Sequence, residues 1–218
     1  DWNNANYRTL FTHQYDSKNK YIKNAWNSFM VGITKCNTAL LYLSKLQQTE
    51  EVKGYMNEAR FVRALCMYHL MDCFGKFPMR EYDESDYSKS PTILERPQAV
   101  ARIESELKEI IPLLKEKGQV PYGRITKAAA QMLLAKLYLN NQVYTGTAPA
   151  FTDGVGKWSE TITLCDDIIN SGNYVLADDF WKLYLAFNET YSDQTETILP
   201  IIYNMASGLK GIDWLNIT

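Results

Sequence analysis

Histidine is scarce: His13 and His69 are the only two in 218 residues. That leaves little material for a histidine-based catalytic triad or a histidine-rich metal site. No Gly-x-Ser-x-Gly, His-Glu-x-x-His, P-loop or Gly-x-Gly-x-x-Gly run occurs, so the common hydrolase, metalloprotease and nucleotide-binding signatures are absent. Cys36, Cys66, Cys73 and Cys165 include no Cys-x-x-Cys and no Cys/His cluster, and neither a metal nor a cofactor is expected. Cys66 and Cys73 share one helical pattern, but seven residues at 1.5 Å rise put them roughly 10 Å apart, too far to bridge. All four are expected to be buried free thiols. An excess of either charge is missing too: 23 basic and 25 acidic residues leave a net charge of −2. With no basic stripe, nucleic acid is not an expected partner. No apolar run is long enough to span a bilayer, and no leader is recognisable.

What is present is 46% hydrophobic residues, 13% of the chain being aromatic, enough for one sizeable core. Residues 1–23 read as irregular, with at most a short helical turn. Residues 24–47 are helical, with Trp26, Phe29, Met30, Ile33, Leu40, Leu41, Leu43 and Leu46 at three- and four-residue steps. Residues 50–74 form a helix apolar on most of its circumference, hence central, ended by Gly75 and Pro78. A long loop over 75–96 follows. The next helix spans about 97–117, with Pro97 in its first turn and Pro112 kinking or shortening it. Residues 124–141, with Thr126 as cap, and 157–171, with Trp158, Ile162, Cys165, Ile168 and Ile169 on one face, are helical; 142–156 is a loop. Gly172 caps the second of these, 179–186 reads as a short helix, and 197–203 as a strand or extended segment that Pro200 confines to an edge. Ala128, Ala135 and Tyr138, answered by Trp158, Ile168, Ile169 and Tyr174, echo a tetratricopeptide helix pair.

Four blocks carry a family likeness. Glu58-Ala59-Arg60-Phe61, with Arg63, Ala64, Phe74, Gly75 and Pro78, is the first. Tyr122-Gly123-Arg124-Ile125-Thr126-Lys127-Ala128, the stretch Ile169 to Leu176, and Glu196-Thr197-Ile198-Leu199-Pro200-Ile201 follow in order. Together they resemble the SusD/RagB family of nutrient-binding outer-membrane lipoproteins of Bacteroidetes. The resemblance covers essentially the whole chain, and Asn57 and Met79 stand where the family usually has Gly and Leu. It implies an all-α scaffold of tetratricopeptide-like helix pairs with long loops and little β. It further implies non-catalytic capture of an oligosaccharide at the cell surface, with delivery to a SusC-like TonB-dependent transporter. Contact with the membrane would be only through a lipid anchor that this sequence does not contain. Starting at Asp1 and stopping at Thr218, the chain is expected to be one SusD-like helical domain, 1–218, taken from something longer.

Sugar binding calls for an aromatic platform and amide or charged groups. The family's early Asp-Trp region is matched by Asp1-Trp2, followed by His13, Trp26 and Gly32-Ile33, and the resemblance implies Trp2 as platform with Asn3 or Asn4 beside it. Tyr203 and Trp214 are candidates to complete an aromatic arc, core packing being the other reading for each. Catalysis is not expected. Asp166 and Asp167 are adjacent on a helix, so their side chains diverge by about 100° and cannot flank one bond. Asp178-Asp179 reads as a turn or helix start, and Asp83, Glu84 and Asp86 as solvated loop residues. His69 reads as a hydrogen-bonded core residue, and Arg60 and Arg63 as structural groups paired with carboxylates or helix ends. The rivals are a protein–protein scaffold or peptide-capturing family member, and a glycan hydrolase.

Overall fold

The structure, a computed structural model, describes residues 5–84, 86, 88–185, 189–192 and 195–202. It is a stack of helices: α1 Ala5–Phe11, α2 Lys20–Leu43, α3 Glu50–Phe74, α4 Arg96–Ile110, α5 Lys127–Leu139, α6 Asn141–Thr145, α7 Trp158–Asn170 and α8 Glu189–Ser192. Short 3₁₀ turns cover Ile111–Leu113 and Phe180–Tyr184. Residues 5–23 are more regular than expected, because Asn19 serves two masters. Its Oδ1 accepts from Tyr21 N at 3.0 Å and Ile22 N at 3.4 Å, opening α2. Its Nδ2 donates to Asn6 O and Thr9 Oγ1, each at 3.0 Å, holding α1 against that start.

The helix α3 has the expected bounds. Thr49 Oγ1 accepts from Val52 N at 3.3 Å, and Gly75 ends the helix at φ +79°, where a Cβ would meet Arg96 Nη2 at 3.2 Å. Its middle is buried (Phe61, Arg63, Ala64, Met67, Tyr68, Leu70 and Met71) while Tyr55 and Val62 remain exposed. Within the expected loop the chain makes a hairpin of two strands, β1 Phe77–Met79 and β2 Thr92–Leu94, antiparallel with Phe77 opposite Leu94. Phe77 and Met79 alternate inward on β1 and are buried. Three residues are too short a run for period-two alternation to announce itself.

Pro97 lies in the first turn of α4, and Pro112 shortens it: without an N–H at Pro112 the α-helical pattern stops at Ile110 and tightens to 3₁₀. Thr126 caps α5 as expected, accepting from Ala129 N at 3.4 Å. The helix α2 packs on α3, α3 on α4, and α5 on α7. One core joins Phe61, Met67, Leu70 and Met71 of α3 to Ile103, Leu107 and Ile110 of α4 and Leu133, Leu134 and Leu137 of α5. Each fully buried side chain of that size contributes about 1.5–3 kcal/mol.

Two further expectations are corrected, for the loop at 142–156 and for the strand at 197–203. The loop at 142–156 begins with a helical turn, α6, whose Asn141 is buried and donates to Val155 O at 2.7 Å. The apolar face of α7 is largely open: Ile168 alone of its residues is buried, while Trp158, Ile162 and Ile169 are exposed. Residues 197–202 form no strand; Pro200 has no N–H to give a ladder, and Tyr203 lies outside the described residues. The short helix expected at 179–186 is the 3₁₀ turn Phe180–Tyr184, capped by Asp179 Oδ1 accepting from Trp181 N at 3.0 Å.

Candidate functional site

The residues singled out for sugar binding, Trp2, Asn3, Asn4, Tyr203 and Trp214, all lie outside the described residues. The described structure contains instead a cleft that the sequence did not announce. It measures about 820 Å³ and follows α3 from Glu50 to Arg63, flanked by the connector from Leu113 to Ile125 and by Glu81 and Tyr82 after β1. Thirteen helical steps, from Glu50 to Arg63, make that wall about 20 Å long.

An ion network backs the cleft. Glu106 of α4 has no exposed surface, and Arg63 of α3 is nearly as deeply buried. Arg63 Nη2 donates to Glu106 Oε1 at 2.5 Å, and Arg60 Nε to the same oxygen at 3.2 Å. Glu106 Oε2 is 2.9 Å from Arg102 Nη1, an ion pair at contact distance although the N–H does not line up as a hydrogen bond. Arg102 also grips Glu81 with two hydrogen bonds of 2.9 and 3.1 Å, and Arg60 reaches Glu109. Asn37 of α2 joins in, its Oδ1 accepting from Arg63 Nη1 at 2.8 Å while its Nδ2 donates to Arg80 O at 2.7 Å. Burial pushes the Glu81 carboxyl upward, but hydrogen bonds from Arg102 and the charges of Arg102, Arg63 and Arg60 outweigh it and hold the group below its ordinary value. Arg60 and Arg63 are thus paired with carboxylates, as expected. Arg63 Nε remains a buried donor without a partner.

At the other end of the wall, Arg124 makes a two-pronged pair with Glu58, at 2.8 and 2.6 Å. Its guanidinium lies 4.9 Å from the centre of the Tyr55 ring. The Tyr55 hydroxyl donates to Glu51 Oε1 at 2.8 Å. Sequence reading missed Tyr55 and Tyr82, which sit off the apolar stripe of α3 and in a loop. The available signal was Arg124, inside the Gly-Arg-x-Thr-Lys block.

That block and the last two converge. Gly123 adopts φ +89°, and a Cβ there would come within 2.2 Å of Ile202 Cδ1. Thr126 Oγ1 lies 3.3 Å from the Tyr174 hydroxyl, and Lys117 Nζ sits 4.7 Å above the Tyr174 ring. Lys117 also donates to Thr195 O at 2.8 Å, and Glu196 Oε2 accepts from Ala177 N at 3.1 Å.

The remaining titratable residues have structural places. His69 is half-buried and stacks on Phe29 at 5.0 Å, so ring contact takes the role expected of a hydrogen bond; burial and Lys136 lower its pKa. His13 is exposed, at φ 54°. Cys36 is buried, its thiol pushed by burial up to about 11, but Cys73 is exposed, against the expectation of four buried thiols. Glu84 pairs with Arg80 at 2.8 Å, and Asp86 Oδ1 accepts from Ser88 N at 3.1 Å. Glu104 of α4 accepts from Lys108 at 2.6 Å, Lys157 at 2.7 Å and Tyr138 at 2.8 Å. Burial opposes these bonds and is outweighed, and the carboxyl is held down to about 2. Among the described residues, no three His, Cys, Asp or Glu side chains converge as metal ligands, and no helix is long and apolar enough to cross a membrane.

Residues 1–139 match a SusD-like family described as starch-binding and associating with the outer membrane. The starch-binding protein SusD of Bacteroides thetaiotaomicron is 36% identical over 162 residues, covering 72% of this chain and 27% of that protein. A structure solved with xylogluco-oligosaccharide superposes with a TM-score of 0.75 at 22% identity, over 89% of this chain and 38% of the other. A SusD superfamily protein from Parabacteroides distasonis gives 0.73 at 24% identity, over 94% and 42%. The match to the curated relative spans about a quarter of that protein's length.

Proposed function

The chain belongs to the SusD-like family, and on that premise we propose that the protein captures an oligosaccharide without chemically altering it. The observation that carries the reading is the family match over residues 1–139, supported by the 36% identity to a starch-binding protein. Binding would rest on stacking of a pyranose face against Trp2, with Asn3 or Asn4 hydrogen-bonding hydroxyls and Tyr203 and Trp214 completing an aromatic arc. In this reading the protein sits at the outer-membrane surface through a lipid anchor and hands its ligand to a SusC-like TonB-dependent transporter. The helix pairs are the rigid support on which the binding loops are carried. The test is a binding screen of the full chain against plant, host and microbial glycans, with Trp2→Ala alongside. A hit lost in Trp2→Ala establishes capture at the start of the chain. A blank across the panel from folded protein rejects glycan capture and leaves the scaffold or peptide-capture reading.

A further inference from the structure

We propose that the cleft along α3 is a second carbohydrate subsite, selective for uncharged glycans; the inference rests on the glycan-capture reading above. Its volume of about 820 Å³ falls in the range of ligand pockets, about 300–1,000 Å³. Its shape fits as well, since a wall about 20 Å long suits a short chain of sugars better than a compact metabolite. Charge narrows the choice further. Six cationic and five anionic side chains line the cleft, and Glu106, buried behind them, supplies the sixth anion. Five of the six cations are paired with carboxylates, Lys115 alone carrying no ion pair among the described residues, so little surplus field is left to hold an anion: beyond Lys115, an anionic ligand would have to displace Glu58 from Arg124 or Glu81 from Arg102. A hydroxyl both donates and accepts, and paired guanidinium and carboxylate groups still offer free N–H and lone-pair positions side by side.

Aromatic surface is available too. Tyr55 remains 39% exposed with Arg124 against its ring, and Tyr82 lines the same cleft. A peptide is the less suitable occupant: the strands β1 and β2 lie outside the lining, so no sheet edge is offered for strand addition.

The test titrates the full chain by calorimetry with maltoheptaose, a cello-oligosaccharide and a xylogluco-oligosaccharide, all uncharged, and with a galacturonic-acid oligomer. Tyr55→Ala is compared with Tyr55→Phe, which keeps the ring, and with Trp2→Ala; circular dichroism checks that each is folded. The expected result is about tenfold weaker binding of an uncharged oligosaccharide by Tyr55→Ala, the scale of one aromatic contact. Tyr55→Phe should stay close to the parent and the acidic oligomer should bind poorly. Unchanged affinity in Tyr55→Ala, as when another part of the polypeptide fills the cleft, overturns the subsite and leaves the glycan reading standing. Preference for the acidic oligomer overturns its selectivity for uncharged glycans. A parent protein that binds none of the panel strikes the glycan reading itself.

Discussion

Replacing Glu106 with Gln keeps the shape of a side chain that has no exposed surface, removes its charge and turns one acceptor oxygen into an amide donor. Three guanidiniums then lose a counter-ion, and the cost falls mainly on Arg63, whose side chain is 3% exposed. Stripping one partner from a buried ion pair costs about 3–5 kcal/mol. The lower end applies here, because each arginine keeps something: Arg63 its 2.8 Å bond to Asn37, Arg102 its grip on Glu81, Arg60 its contact with Glu109. Glu106→Gln is therefore expected to destabilise by about 3 kcal/mol. With an m-value of about 3 kcal/mol per M, the urea midpoint falls by about 1 M. Urea unfolding followed by circular dichroism at neutral pH measures it. Lys53→Ala is the control, since the Lys53–Glu50 pair has side chains 53% and 90% exposed, and its midpoint should not move. A Glu106→Gln midpoint indistinguishable from that of Lys53→Ala would refute the claim that this network holds α3 to α4.

Acid should unfold the protein partly through Glu104, whose carboxyl is held at about 2 against an ordinary 4.5. A depressed carboxylate contributes stability above its unfolded pKa and loses it as pH falls through the folded one. Stability should decline from about pH 5 to pH 2, and Glu104→Gln should flatten that decline in melts across the same window; an identical slope counts against the assignment. Gly123→Ala should cost about 1–2 kcal/mol, or about 5 °C in melting temperature, since an L-residue is strained at φ +89°. Gly118→Ala, at φ +82° with open space around it, separates backbone strain from the contact with Ile202. A Gly123→Ala protein as stable as its parent would show that the turn relaxes.

Helices whose signals are local were legible in the sequence itself. The span of α3 came from an apolar run closed by Gly75 and Pro78; α5 came from Thr126 and a run of strong helix formers. What failed was carried by partners distant in the chain. Without Asn19 reaching back to Asn6 and Thr9, residues 5–11 are too few to hold a helix. The hairpin exists because Phe77 and Met79 have a core to enter. The face of α7 was read correctly as apolar, but periodicity reports the composition of a face, not what covers it. The cleft was out of reach for the same reason: Tyr55, Tyr82 and Arg124 meet only once α3, the hairpin and the connector are placed. That Arg60 and Arg63 would find carboxylates was foreseeable; that Glu106, Glu81 and Glu109 would supply them was not.

Glu106 stands between Ser105 and Leu107, and this gives the ion network a role as an alignment mark. Aliphatic cores forgive small slides, because one branched side chain fills a gap much as another does. Shift α4 by one residue along α3, however, and its facing position turns by about 100° and moves 1.5 Å. The two guanidiniums of α3, Arg60 and Arg63, would then confront a hydroxyl or an isobutyl group. Only one setting of the two helices meets both the oily surface and the carboxylate, so the pair has a single resting place where apolar contact alone would permit several.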